Sequence, residues 1–396
     1  MKLFFRQLYA VLSSLRLTVY LLGFSLILVF FGTLDQVHFG IYETQRRYFQ
    51  AVIAFWQYPL EWPGSQVLRW LVLPMPGGYL LGPLFMANLA CAHFRYFRPR
   101  LRNIGIVLIH GGLGLLLVGQ LLTDLAQEDF QMWIDEGSQK NYAESFFNNE
   151  IALVDQSDPD VDRVWSIPDD LLKTGAIFQH PELPLSIRIQ RFYVNARIMQ
   201  LQPNQSTGLM QTSQGVASRM RLGVLEAPPT YAHNQRNVTT AVVEILHRGS
   251  SLGTWLVSNV FDENLPAQRF EVDGHRFDLS MRFERRYFPF SVHLIEFSHD
   301  RYPGTEIPKN FSSLVHVDNH ETGETRDTLI YMNHPLRYGG YTFYQASFAN
   351  EDTSSMLQVV RNPGWLIPYI SCVIMSLGLL YQFGWTLVKF AGRMRK

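Results

Sequence analysis

The stretch GIVLIHGGLGLLLVG, Gly105–Gly119, carries a single ionisable side chain, His110, in an otherwise apolar, glycine-punctuated run. Roughly 20 apolar residues, at about 1.5 Å of rise each, cross the hydrocarbon of a bilayer. The run lies within an apolar block of that length, 104–123. Read as a helix that enters from the cytoplasmic side near Asn103, it places His110 roughly 10 Å along the axis, in the cytoplasmic half of the membrane. Gly105, Gly112 and Gly119 recur every seven residues, a stripe that lets a neighbouring helix come close. His110 lies about 200° around the helix from Gly112 and so points elsewhere. Gly114, four residues on, shares its face and removes bulk beside the imidazole.

The rest of the chain supports a membrane reading. Of 396 residues, 47% are hydrophobic and 17% charged, yet mean hydropathy is close to zero. The apolar residues are therefore gathered in blocks beside an ordinarily polar region. Three more blocks, 17–34, 79–97 and 364–388, are long enough to span, which makes four expected transmembrane helices. The first has basic residues before it, as a signal peptide would, but its apolar core is longer and no small-x-small cleavage pattern follows, so it is expected to be retained.

Lys2, Arg6 and Arg16, the loop Arg95–Arg102, and the tail 389–396 fall on one side of a four-span arrangement. The positive-inside rule makes that side cytoplasmic. Residues 124–361 then lie outside, and 1–123 form the N-terminal membrane part. Within it, 41–74 is rich in Trp, Tyr and Phe but broken by Pro59, Pro63 and Pro74, which predicts short interfacial helices on the outer surface.

Alternation of apolar and polar residues in RIQRFYVN (188–195), TTAVVEILH (239–247), FEVDGHRFDLSMRF (270–283), SVHLIEF (291–297) and SLVHVD (313–318) predicts strands. The fold class is thus membrane α plus β: four transmembrane helices with a large antiparallel, β-rich, sandwich-like extracytoplasmic domain between helices 3 and 4. Gly339 and Gly340 predict a tight hairpin turn before the aromatic run Tyr341–Tyr344.

Lysine plus arginine and aspartate plus glutamate balance at 34 each, so a nucleic-acid partner, which calls for basic excess, is set aside. Cys91 and Cys372 lie in separate apolar blocks at opposite depths and are expected to stay unpaired. No nucleophile elbow, phosphate loop or zinc-protease pattern is present, and no catalytic residue is assigned. An intramembrane histidine is a functional candidate, and a neutral imidazole beside a flat gap suits haem iron. A histidine hydrogen-bonded to another helix is the alternative. His93 sits at the cytoplasmic end of the second block and reads either as interfacial or as a second cofactor-binding residue; His38, beyond the first block, is ambiguous.

SSLRLTVYLL (13–22) followed by FGTLDQ (31–36), the histidine-bearing third span, YPGTEIPKNFSSLVHV (302–317) and NHPLRYGGYTFYQASF (333–348) resemble the ResB family, the membrane component of System II cytochrome c biogenesis. The last segment is the most specific. The resemblance implies a bacterial cytoplasmic-membrane protein that works with a ResC/CcsA-type partner to move haem b outward for attachment to apocytochrome c. It also implies that His110 is an axial ligand, contacting metal only through haem iron. The partner's tryptophan-rich W-W-D motif is absent, so the chain is expected to be a non-synthase subunit. Arg337 is a candidate partner-facing charge. The competing reading is a haem-free membrane scaffold whose β domain recruits or holds an assembly partner. A quinone-using oxidoreductase is weaker and would need a haem-pair arrangement between His93 and His110.

Overall fold

Helices α1 (Lys2–Leu12) and α2 (Leu15–Thr44) are separated by a break at Ser13–Ser14 in the computed structural model. It describes all residues except 1, 60–61, 97–99, 160, 202–211, 231–235, 265–267, 302–303, 305–307, 350–352 and 395–396. A helix break frees backbone carbonyls, which are costly to leave unpaired in an apolar setting. Asn88 satisfies them: its Nδ2 donates to Leu12 O at 2.7 Å and Ser14 O at 3.1 Å, while its Oδ1 accepts from Thr18 Oγ1 at 2.7 Å.

The chain forms two units, 1–127 with 362–396 and 128–230 with 236–361. In the first, α2 kinks at Gly40, whose φ of 74° a side chain would disfavour. The following helical turns fold back, so that Tyr48 packs beside Gly32 and donates to the Asp35 carboxylate at 2.6 Å.

The expected interfacial helices over 41–74 are largely replaced by a hairpin. β1 (Ile53–Gln57) pairs antiparallel with β2 (Val72–Pro76), and only α3 (Ser65–Leu68) is helical between them. Ala54 and Trp56 point into a core with Leu28, Met75 and Leu81, while Ile53 and Phe55 are exposed. Both faces are apolar, which hides the strand period in the sequence. Pro74 and Pro76 are tolerated because a two-stranded ribbon has only edges.

α4 (Gly78–Tyr96) and α5 (Ile104–Ala126) follow, and α8 (Ile367–Met394) completes the unit. The glycine stripe of α5 is buried against α8. A Cβ on Gly105 would stand 2.7 Å from Gly378 O, and one on Gly112 2.6 Å from Met375 Cγ. Among the described residues, three helical stretches are long and apolar enough to cross a membrane: Leu15–Phe49, Leu101–Ala126 and Ile367–Met394. The expected second span is not among these three. α4 has 19 residues and carries Asn88, His93 and Arg95, and the expected end of that span at 97 lies outside the described residues, as do Arg98 and Arg395–Lys396.

The second unit is β-rich and antiparallel. It runs β3 (Glu128–Asp135), β4 (Gln139–Asp155), β5 (Arg163–Pro168), β6 (Ile177–Gln179), β7 (Leu185–Tyr193), β8 (Ala196–Gln200), α6 (Gly215–Met220), β9 (Leu222–Glu226), β10 (Thr240–His247), β11 (Ser250–Ser258), α7 (Asn259–Asn264), β12 (Gln268–Val272), β13 (His275–Arg301), β14 (Pro308–Asn319), β15 (Glu324–Tyr331), β16 (Leu336–Tyr338), β17 (Tyr341–Ala349) and β18 (Ser354–Arg361). The large sheet has the order β15-β14-β13-β4-β3-β18-β17-β16, with β5 and β12 attached. A second sheet, β11-β10-β7-β6, packs Ile187, Val243 and Val257 against Ile151, Phe277 and Leu279 of the first. The rest of the large sheet encloses its own core around Phe290, Val292, Phe343 and Leu357. β13 lines both cores.

The predicted turn is present. Tyr338 pairs with Tyr341, and Gly339 and Gly340 have φ of 57° and 81°, the two positive values that a two-residue type I′ turn needs. Gly339 is the more constrained, since a Cβ there would lie 2.5 Å from Phe290 Cε1, whereas Gly340 faces open space. The expected YPGTEIPKN segment lies partly outside the described residues.

At the junction of the two cores, Glu284 is half-buried. Burial raises its carboxyl pKa first, and nearby Glu150 and Asp169 raise it further, against an Asn148 hydrogen bond and Arg286. A raised folded pKa means stability that is full below the ordinary carboxylate range and lost as pH rises through the folded value. Glu284→Gln should therefore raise the unfolding midpoint more at pH 7 than at pH 5. A pH-independent difference between variant and wild type would reject this account.

Candidate functional site

His110 is placed by the helix that carries it. Its Nδ1 lies 2.8 Å from Ile106 O, one turn back. A carbonyl can only accept, so Nδ1 carries the proton and Nε2 keeps its lone pair. That is the tautomer of a nitrogen ligand whose orientation is fixed by its second nitrogen. The ring is half-buried and points away from the glycine-packed α8 interface, towards α4.

On α4 it meets His93. The two imidazole centroids are 5.9 Å apart and the ring planes are inclined by 38°. One turn further out, Leu89 lies across from Gly114: a Cβ on Gly114 would be 3.8 Å from Leu89 Cδ2, an ordinary contact. Gly114 thus leaves room beside His110, and an alanine would also fit. Gly111, next to the histidine, has nothing within 4 Å of its Cβ position. The surroundings are one fixed imidazole, a second imidazole, apolar walls and an open flank.

The pairing of His93 with His110 was accessible in principle. Leu89 and His93 are four apart on one face of α4, and a short connection joins α4 to α5, so residues counted outward from it on the two helices face one another. Asn88 was missed for a plainer reason, as one amide in a long apolar block gives no sign of its partner. Arg337 is exposed on β16 opposite Thr342, in the β-rich unit. His38 lies on the last turn of α2 before Gly40. Cys91 and Cys372 are free thiols.

Acidic groups segregate along the first unit: the described ones, Asp35, Glu43 and Asp124, gather at one end of the helices, where Arg46 and Arg47 pair with Glu43 at 3.9 and 2.6 Å. There Asp124 accepts from Gln50 Nε2 at 2.8 Å and Tyr79 Oη at 2.7 Å. Arg16, Arg95, Arg100, Arg102 and Arg393 are at the other end, where Arg95 Nη1 donates to Ser13 Oγ at 2.7 Å. The histidine pair is nearer the basic end. Among the described residues, no group of three or more His, Cys, Asp and Glu gathers as a metal-ion cluster.

Residues 259–357 match the ResB-like family. This region runs from α7 to within β18 and includes Arg337 and the Gly339–Gly340 turn. Protein NrfI of Wolinella succinogenes is 28% identical over 153 residues, which is 39% of this chain and 16% of that protein. The matched stretch therefore spans about a sixth of that relative's length. Both comparisons support the ResB resemblance read from the sequence.

Proposed function

From the ResB-like match over 259–357 we propose that this chain is a cytochrome c biogenesis factor. It binds haem b within the membrane and, with a ResC/CcsA-type partner, helps to move it outward for attachment to apocytochrome c. The observation that carries the haem-binding step is the geometry of His110: an imidazole with Nδ1 tied to Ile106 O and Nε2 left free to ligate, in an apolar helix.

The residues present fit such a group. His110 would hold it, Gly111 has open space at its Cβ position, and Leu89 stands across from Gly114 one turn outward. Haem when bound supplies an iron centre whose remaining coordination the protein controls. The chain's own contribution is orientation and exclusion of water. α5 is locked to α8 through its glycines, so His110 is carried on the rigid side of the site.

In this reading α4 is the fourth membrane-crossing helix, and the basic end of the unit faces the cytoplasm of a bacterial cell with both termini. The β-rich unit lies outside the membrane, where apocytochrome c would be met.

The test is haem content. His110→Ala, made in the full chain co-expressed with its partner, should remove haem from the purified complex while leaving its yield within about twofold, because the packed glycine face is elsewhere. Unchanged haem in a well-folded variant would exclude the ligand role and leave the haem-free scaffold as the better account.

A further inference from the structure

We infer that the basic end of the first unit holds an anionic phospholipid by its phosphate, on a shelf formed where α8 overruns the start of α5. Haem binding is not required for it. The two helices run antiparallel, with Gly119 against Ile367, Gly112 against Met375 and Gly105 against Gln382. α5 begins one residue before Gly105, at Ile104, whereas α8 continues past Gln382 to Met394. The further residues carry α8 roughly 18 Å beyond the level of Gly105. The overhang is charged on the side that faces α5. At about 100° per residue, Trp385, Lys389 and Arg393 all lie within about 60° of Gly378, whose own Cβ would stand 2.9 Å from Gly105 O.

The other wall is the turn Leu101–Asn103 that leads into α5. Tyr381 Oη donates to Leu101 O at 3.0 Å and ties this turn to α8, so Arg100 and Arg102 stand beside the overhang. Arg100, Arg102, Lys389 and Arg393 are exposed, and none has an ion-pair or side-chain hydrogen-bond partner among the described residues. The described acidic groups of the unit are at its opposite end, so the chain does not neutralise this charge itself. Positive groups held together on two interlocked elements attract a phosphate and repel the ammonium of a zwitterionic headgroup.

A lipid fits the rest of the shelf better than a free anion. The Tyr381 and Trp385 rings stack at 6.2 Å with planes inclined by 17°, and such rings settle at headgroup level. From there towards the membrane centre, Ile370 and Leu377 lie within about 40° of Tyr381 around the axis. They are 48% and 55% exposed, an apolar track on which an acyl chain can lie.

The experiment uses the full chain in detergent, titrated with phosphatidylglycerol, with phosphatidylethanolamine, or with phosphatidylglycerol in competition with inorganic phosphate. Bound lipid is counted by native mass spectrometry. One phosphatidylglycerol should saturate the wild type, phosphatidylethanolamine should bind about tenfold more weakly or worse, and inorganic phosphate at equal concentration should displace neither. Arg102→Gln combined with Lys389→Gln should weaken phosphatidylglycerol by about tenfold or more. Arg102→Lys with Lys389→Arg keeps both charges and should stay within about threefold of wild type, which separates charge from folding. Arg6→Gln is the control: α1 packs on α4, on the other side of α5 from α8, and its loss of charge should change nothing. Weakening by Arg6→Gln as large as that of the glutamine pair would reveal a diffuse basic surface and overturn the site. Equal binding of the two lipids, displacement by inorganic phosphate, or a glutamine pair that binds like wild type would overturn it too.

Discussion

Arg282→Met is expected to destabilise the β-rich unit by about 3–5 kcal/mol, the cost of removing one partner from a buried ion pair. Arg282 and Glu150 face each other across the β13–β4 ladder. Their side chains are 6% and 3% exposed, and Arg282 Nε lies 2.8 Å from Glu150 Oε1. Ser166 donates to the other carboxylate oxygen, and Arg282 Nη2 to Tyr287 Oη at 3.2 Å. Methionine keeps much of the volume but leaves the carboxylate without its counter-ion in a setting that solvates it poorly. Urea unfolding of the full chain, followed by the β signal, should shift its midpoint down by about 1–5 M, given a slope of about 1–3 kcal/mol per molar. The double variant Arg282→Met with Glu150→Leu removes both charges and should recover most of the loss. A single variant within 1 kcal/mol of wild type, or a double variant no better than the single, would show that the pair is not the support described.

Gly77→Val and Gly78→Val should each prevent the first unit from folding. A Cβ on Gly77 would fall on the Ala51 carbonyl oxygen and 2.7 Å from its carbon, and one on Gly78 would meet Phe49 O and lie 2.8 Å from Phe49 Cα. All of these are backbone atoms, so no side-chain rotation relieves the overlap, and the cost exceeds the about 1–3 kcal/mol of ordinary overpacking. Gly82→Ala, four residues along α4 with nothing within 4 Å, is the control and should be neutral or slightly stabilising through helix propensity. The readout is monodisperse protein recovered from detergent: near zero for the valine variants and near wild type for the control. Recovery of Gly78→Val at wild-type yield would mean that the turn beneath Phe49 is not built as described.

What the sequence made legible follows from which signals are local. The helix at 104–126 and the role of its glycines could be read because spacing and burial are set along one helix, although its partner, α8, is some 250 residues away. The turn at Gly339–Gly340 was legible for the same reason. The hairpin at 53–76 was not, since strand alternation disappears when both faces are apolar and prolines suggest only interruption. β13 was read as two strands, FEVDGHRFDLSMRF extending into its first half and SVHLIEF in its second. Pro289 and the register shifts at Phe283/Arg285 and Tyr287/Val292 break a pattern that the backbone carries through. For the site, His110 stood out because a lone ionisable group in an apolar run is costly. His93, beside Arg95, could be read either as interfacial or as cofactor-binding, and only the facing of α4 and α5 brings its ring beside His110.

The glycine contact between α5 and α8 also bears on the order in which the protein can be completed. The ribosome makes α5 first, and about 240 residues, Gln127 to Leu366, must follow before the helix that fits its grooves exists. At about 5–20 residues per second, that is roughly 12 to 48 seconds. During that time Gly105, Gly112 and Gly119 present an unfilled furrow, into which another chain's small-residue helix could settle. Newly made copies are thus most open to mispairing, and to holding by an insertion factor, before α8 emerges.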